Sequence, residues 1–352
     1  MSAKHRLAMY WAAGCGGCDI SVLNLHEALL DVTEHFEPVF WPAVMDAKYR
    51  DVEAMPDRSI DVTLFTGGIR TDEDLHLARL LRRKTRVLVA FGSCANEGCV
   101  PGLANLRPVE AILEAAFDGP TTEAGEHRRP VARWTDDDEV LDLPVLEPAL
   151  RTLHQVVDVD YRVPGCPPET ERIAEVVGLL VAALDGLVPL PPKGAVLGAG
   201  HSTVCDQCRR DRDEKRIARF ERYQSLRSVD PTRCLLEQGL PCAGPATRDG
   251  CGALCPSAGA PCIGCYGATD GVVEAGARLV SAYASIVDAS EPEAIDAILD
   301  GLVDPVGRAY RFSLAGSLLR SARPSSASEP ARPAGGAVAM GAGALAAGEA
   351  SR

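Results

Sequence analysis

Trp11-Ala12-Ala13-Gly14-Cys15-Gly16-Gly17-Cys18-Asp19 is the stretch on which both fold and chemistry turn. A short apolar run, residues 7–11, leads into it. Ile20, Leu23, Leu25, Ala28, Leu29 and Val32 leave it at helical spacing. That order predicts a strand, a glycine-rich turn carrying a Cys-x-x-Cys pair, and a helix. The glycines let the backbone come close to whatever the thiols hold. Two thiolates at this spacing can grip one soft metal centre but do not complete its coordination, so further ligands must come from elsewhere.

The same unit recurs downstream. Residues 61–66 read as a buried strand ending in Gly67-Gly68. Thr71 then caps a predicted helix that opens with Asp72, Glu73 and Asp74 and closes with Arg82, Arg83 and Lys84, charges that complement the helix dipole. Residues 87–91 form an uninterrupted apolar run of parallel-strand type, which enters Gly92-Ser93-Cys94-Ala95. Residues 36–44 and 156–163 predict two more strands. The second of these meets Pro164-Gly165-Cys166-Pro167-Pro168-Glu169, and a helix follows over 173–184. Repeated strand–loop–helix units predict a flavodoxin-like α/β fold with a doubly wound, mostly parallel sheet. Cys15, Cys18, Cys94 and Cys166 each fall just past a predicted strand, at the edge where such sheets bind ligands. Four thiolates would then surround one site. Residues 108–117 predict a short helix, and the acidic run 136–139 a solvated insertion without chemistry.

Val188-Pro189-Leu190-Pro191-Pro192-Lys193 predicts a linker. Beyond it turn residues and cysteines dominate, in the spacing Cys205-x2-Cys208, Cys234-x7-Cys242, Cys251-x3-Cys255, Cys262-x2-Cys265. With few long apolar runs, this irregular region is expected to depend on metal centres for its folding. Residues 209–222 read as a charged, solvated helix; a lesser option places Arg209 and Arg210 beside a metal centre to dock an acidic electron carrier. Residues 269–289 read as an alanine-rich helix. The expected division is therefore 1–187 for the sheet domain with the first site, 188–200 for the linker and 201–290 for the cysteine-rich domain. A helical segment over 291–316 and a disordered tail over 317–352 complete it.

Composition narrows the function. The chain has 352 residues, 24% of them charged, and a formal net charge of −13, which argues against nucleic-acid binding through a basic field. No window approaches the ~20 apolar residues of a membrane span. No export signal precedes the first predicted strand, so the chain is expected to be cytoplasmic. Thirteen cysteines, an odd number, argue against a disulfide framework and for metal ligation. Thiolate ligation admits structural zinc or iron–sulfur clusters. Zinc ribbons would explain Cys205/Cys208 and Cys262/Cys265 but not four cysteines from three distant strand ends. Twelve cysteines also divide into three sets of four, as three cubane clusters require. A row of such centres moves single electrons.

At this point the motifs resemble a known family. They are Gly14-Cys15-Gly16-Gly17-Cys18-Asp19, Ala90-Phe91-Gly92-Ser93-Cys94-Ala95, Pro101-Gly102-Leu103-Ala104-Asn105-Leu106 and Pro164-Gly165-Cys166-Pro167-Pro168 in the first region. In the second they are Val204-Cys205-Asp206-Gln207-Cys208-Arg209, the run from Cys242 through Gly250-Cys251-Gly252-Ala253, and Pro261-Cys262-Ile263-Gly264-Cys265-Tyr266-Gly267. The chain resembles the small, electron-transferring subunit of cytoplasmic nickel–iron hydrogenases, of the methyl-viologen-reducing type paired with heterodisulfide reductase. The resemblance implies three 4Fe–4S clusters. The proximal one would be held by Cys15, Cys18, Cys94 and Cys166, the distal one by Cys205, Cys208, Cys234 and Cys242, and the medial one by Cys251, Cys255, Cys262 and Cys265. It also implies a large-subunit partner carrying the nickel–iron centre and its chemistry, no catalytic residue in this chain, and a downstream electron-acceptor subunit or carrier. Cys99 is left over as a spare thiol. Asp19 departs from the glutamate common after the second cysteine. Two alternatives are weighed against this reading. The small cluster-bearing subunit of NADH:quinone oxidoreductase has adjacent cysteines where this chain has Cys15-Gly16-Gly17-Cys18. A zinc-stabilised interaction module would have no redox role.

Overall fold

Five apolar segments pair side by side in a computed structural model that describes residues 4–120, 122–123, 129–136, 139–225 and 228–319. They are β1 (His5–Trp11), β2 (Phe36–Phe40), β3 (Ile60–Thr66), β4 (Thr85–Phe91) and β5 (Tyr161–Val163). Every pairing is parallel, in the order β2-β1-β3-β4-β5. This is the doubly wound, flavodoxin-like order, and the expected fold class holds.

Alternation along the strands divides the core in two. Leu7, Met9, Val62, Leu64, Val89 and Phe91 pack on one face with Val22 of helix α1 (Gly17–Leu23). Ala8, Tyr10, Phe65, Leu88 and Ala90 pack on the other with Leu77 and Leu81 of α2 (Asp72–Lys84). Ile173, Val176 and Leu180 bring α3 (Thr170–Leu184) onto the first face. Thr71 caps α2 as expected: its hydroxyl accepts from Asp74 N–H at 3.1 Å and the Asp74 carboxylate accepts from Thr71 N–H at 2.9 Å. Thus the helices cover both faces and leave the strand ends to carry loops.

Several expected elements are shorter. β2 stops at Phe40 because Trp41 turns the chain, its carbonyl accepting from Val44 and Met45. β5 begins at Tyr161; Val156, Val157 and Val159 pack against the core from a loop. The alanine-rich helix spans Ala275–Ala284, because residues beyond it leave to bond Ile217, whose N–H donates to Ile286 O at 2.7 Å. Residues 209–222 hold no α-helix. Ile217 and Phe220 are buried there, and Arg210 is buried too. Its guanidinium donates to the carbonyls of Pro256, Asp230 and Arg233, so Arg210 ties loops together and is neither solvated nor a docking residue. The short helix over Val109–Phe117 is present. Around the acidic insertion, Arg133–Asp136 pairs antiparallel with Glu139–Asp142.

The cysteine-rich region also has more apolar core than its sequence suggests. Val204, Ile217, Phe220, Leu235, Leu236, Leu240, Leu279, Tyr283 and Ile298 form a third buried cluster, gathered from segments too short to register as runs. The proline-rich linker lies against the sheet, with Arg162 N–H donating to Ala195 O and Leu197 N–H to Arg162 O. Helices Pro292–Leu299 and Pro305–Ala309 then bring the chain back to the first region, where Phe312 O accepts from Cys99 N–H at 3.0 Å. Ser317, assigned to the tail by composition, is buried and donates to Glu274 at 2.8 Å. The remainder of that predicted tail, from residue 320, lies outside the described residues.

Asn96 locks the functional edge. Its buried amide donates to Ala90 O, Gly92 O and Val163 O at 3.2, 3.0 and 2.8 Å, binding the end of β4 to the end of β5. Asn96→Ala leaves these carbonyls without that donor and is expected to cost about 2–3 kcal/mol in denaturant unfolding. A change within about 0.5 kcal/mol, the range of an ordinary surface substitution, would refute this role.

Candidate metal centres

The loops after β1, β4 and β5 enclose one cavity, lined by Cys15, Cys18, Cys94 and Cys166 with Trp11 and Gly67. The four cysteines predicted to converge do converge. Backbone bonds hold the loops together at the strand ends: Gly92 N–H donates to Val163 O and Ser93 N–H to Gly165 O, each at 2.8 Å. Gly92 has φ +83°, and a Cβ there would lie 2.4 Å from Cys18 Sγ. Its hydrogen is what makes room for the thiol. Asp19 is buried, its carboxylate accepting from Trp41 Nε1 at 2.9 Å and Thr66 Oγ1 at 3.4 Å. Burial raises its pKa while those two hydrogen bonds oppose the rise. Asp19 therefore anchors the cysteine turn to the sheet.

Cys99 is not a detached spare. Its Sγ lies 3.6 Å from Cys166 Sγ, and Cys94 is a second sulfur neighbour. Nothing in its spacing relates it to Cys166, because the turn after Ser93–Glu97 brings it back to that sulfur.

Cys205, Cys208, Cys234 and Cys242 line a second cavity of about 530 Å³, beside Arg212, Lys215 and Arg278. A Cβ at Gly244 would meet Cys205 Sγ at 3.1 Å and Cys242 Sγ at 3.6 Å, so glycine again clears the sulfurs. Burial pushes the Cys205 thiol up to about 12, opposed by the Arg212 charge.

Cys251, Cys255, Cys262 and Cys265 form the third group. Burial pushes Cys262 up to about 11 and Cys265 up to about 12, and the thiols of Cys251 and Cys255 add to both. The groups are stitched end to end. Cys262 N–H donates to Cys242 Sγ at 3.3 Å. Ser93 Oγ donates to Cys265 O, and Ala243 N–H to Cys262 O at 2.8 Å.

All thirteen cysteines are free. Among the described residues no three His, Cys, Asp or Glu side chains close round a point suited to a single metal ion. Thiols held in this way resist ionisation until a cationic centre compensates their charge. Four soft donors facing a shared cavity fit an iron–sulfur cluster. Sequence reading missed Glu97, packed beneath Gly267, where a Cβ would lie within 2.8 Å of both its carboxylate oxygens. Burial pushes this carboxyl up to about 7, against the Ala268 N–H and the charges of Arg162 and Arg248. Glu97 closes the five-residue helix Ser93–Glu97, which is too short to leave a periodic signal.

Residues 15–180 match the family described as NADH ubiquinone oxidoreductase, 20 Kd subunit. The chain is 37% identical over 321 residues to the iron-sulfur subunit of the F420-non-reducing hydrogenase of Archaeoglobus profundus, covering 89% of this chain and 97% of the relative. It is 40% identical over 288 residues to a vhu subunit of the F420-non-reducing hydrogenase of Methanococcus voltae, covering 82% and 91%. A chain from the crystal structure of an NAD+-reducing [NiFe]-hydrogenase in the H2-reduced state aligns over 54% of this chain and 96% of its own, with 32% identity and a TM-score of 0.45. Such identity across nearly the whole length of the relatives settles the family: this chain belongs with the small, iron–sulfur subunits of the F420-non-reducing hydrogenases.

Proposed function

We propose that this chain relays electrons between the nickel–iron site of a hydrogenase large subunit and an acceptor, through three 4Fe–4S clusters. Small subunits of this family pair with a large subunit, and catalysis lies there. Cys15, Cys18, Cys94 and Cys166 would hold the proximal cluster, Cys251, Cys255, Cys262 and Cys265 the medial, and Cys205, Cys208, Cys234 and Cys242 the distal. When bound, such clusters accept and release single electrons at potentials set by their surroundings.

One observation carries this reading: the direct hydrogen bonds between the loops of successive groups. Ser93, beside Cys94, donates to Cys265 O and joins the first set to the third, and Cys262 N–H to Cys242 Sγ joins the third to the second. Each contact makes a short path between ligands of neighbouring sites and favours that order. A zinc-held module has no use for such continuity. Electrons would leave beside the distal set, to an acceptor subunit or a soluble carrier. Thirteen free thiols fit a reducing compartment, and we place the protein in the cytoplasm on that basis. Among the described residues no helix is long and apolar enough to cross a membrane.

The purified chain within its complex should be brown, bleach on reduction and carry roughly twelve irons per small subunit. Colourless protein loaded with zinc would end this reading. Cys94→Ser should alter the proximal paramagnetic signal while leaving the other two, and an unchanged signal would remove Cys94 from the ligand set. Gly92→Val places a Cβ 2.4 Å from the present position of Cys18 Sγ, which must then move. It should lower iron content by about one third, the share of one cubane in three.

A further inference from the structure

The thirteenth thiol is built into the first site. Cys99 leaves the turn after Ser93–Glu97 with φ +50° and is 1% exposed. Its N–H is spent on Phe312 O, and the flanking Gly98 and Gly102 pack on Ala315. The returning C-terminal segment therefore closes one side of the turn. The thiol faces the other side, where its S–H donates across 3.6 Å to Cys166 Sγ and Cys94 is its other sulfur neighbour.

We propose that Cys99 is a positioning residue for the proximal cluster, its S–H donating to the Cys166 sulfur when that sulfur is a ligand. The inference rests on the reading that Cys15, Cys18, Cys94 and Cys166 hold that cluster. An added electron places negative charge on the ligand sulfurs. A donor aimed at one of them therefore favours the reduced state and raises the potential. A buried cysteine that merely filled space would act as a small hydrophobe and leave the potential alone. No bond is made or broken in this role, and the proton stays on Cys99.

The test uses the intact hydrogenase complex carrying Cys99→Ala or Cys99→Ser, with iron analysis and a potentiometric titration followed by paramagnetic resonance. Iron content should match the unsubstituted complex in both variants. The proximal midpoint should fall in Cys99→Ala and recover at least in part in Cys99→Ser, which retains a donor, with the other two midpoints unmoved. An unmoved midpoint in Cys99→Ala, an equal fall in both variants, or loss of the proximal signal from both would overturn the proposal. Failure of the underlying reading looks different. The unsubstituted complex would then lack a proximal signal, or Cys94→Ser would leave that signal intact.

Discussion

Parallel pairing is the constraint on which the rest of this molecule depends. When all five strands run the same way, every strand ends on one edge of the sheet, and the loops that follow share one crevice. β1, β4 and β5 are far apart in sequence but close along that edge, and their loops carry Cys15 and Cys18, Cys94, and Cys166. β3 lies between β1 and β4 and contributes no thiol. It ends in Gly67, where a Cβ would run into the Ala12 backbone at 2.6 Å. A bare backbone there lets the neighbouring loops close over the site.

The second region is assembled on that edge. Ser93, at the end of a sheet strand, bonds to Cys265, and the C-terminal segment returns to Cys99 and Gln155. The linker runs beside β5 as an added length of backbone pairing. These contacts mean that the three thiol groups are positioned by one set of interactions, so the separation between sites is a property of the packing. For a relay, that separation matters as much as the ligands do.

Polar groups near the sulfurs serve the scaffold. Asp19 receives an indole and a hydroxyl, Arg210 feeds three carbonyls, and Asn96 donates to three more. Each is buried and each ties separate segments together through backbone or side-chain partners. Free charge does approach the second group, whose cavity Arg212, Lys215 and Arg278 share with its thiols. Glu97 is a further buried group, a carboxyl pushed up to about 7 by burial beneath Gly267.

By itself the sequence determined the fold class, the convergence of Cys15, Cys18, Cys94 and Cys166, and the cap of α2. Those features follow from local patterns: apolar runs, glycines after strands, and acidic and basic residues at helix ends. The charges over 209–222 alternate as on a solvated helix, yet no helix forms there. Arg210 is instead held by carbonyls from residues 230, 233 and 256. The third apolar core leaves no pattern in the sequence for a similar reason, since Ile217, Leu240 and Ile298 belong to no common run. Only the tertiary structure decided where Cys99 stands and how the thiol groups touch, because an S–H···S or N–H···S contact depends on loops meeting in space. Spacing along a chain records which residues can share a turn; it carries no record of which turns are packed against each other.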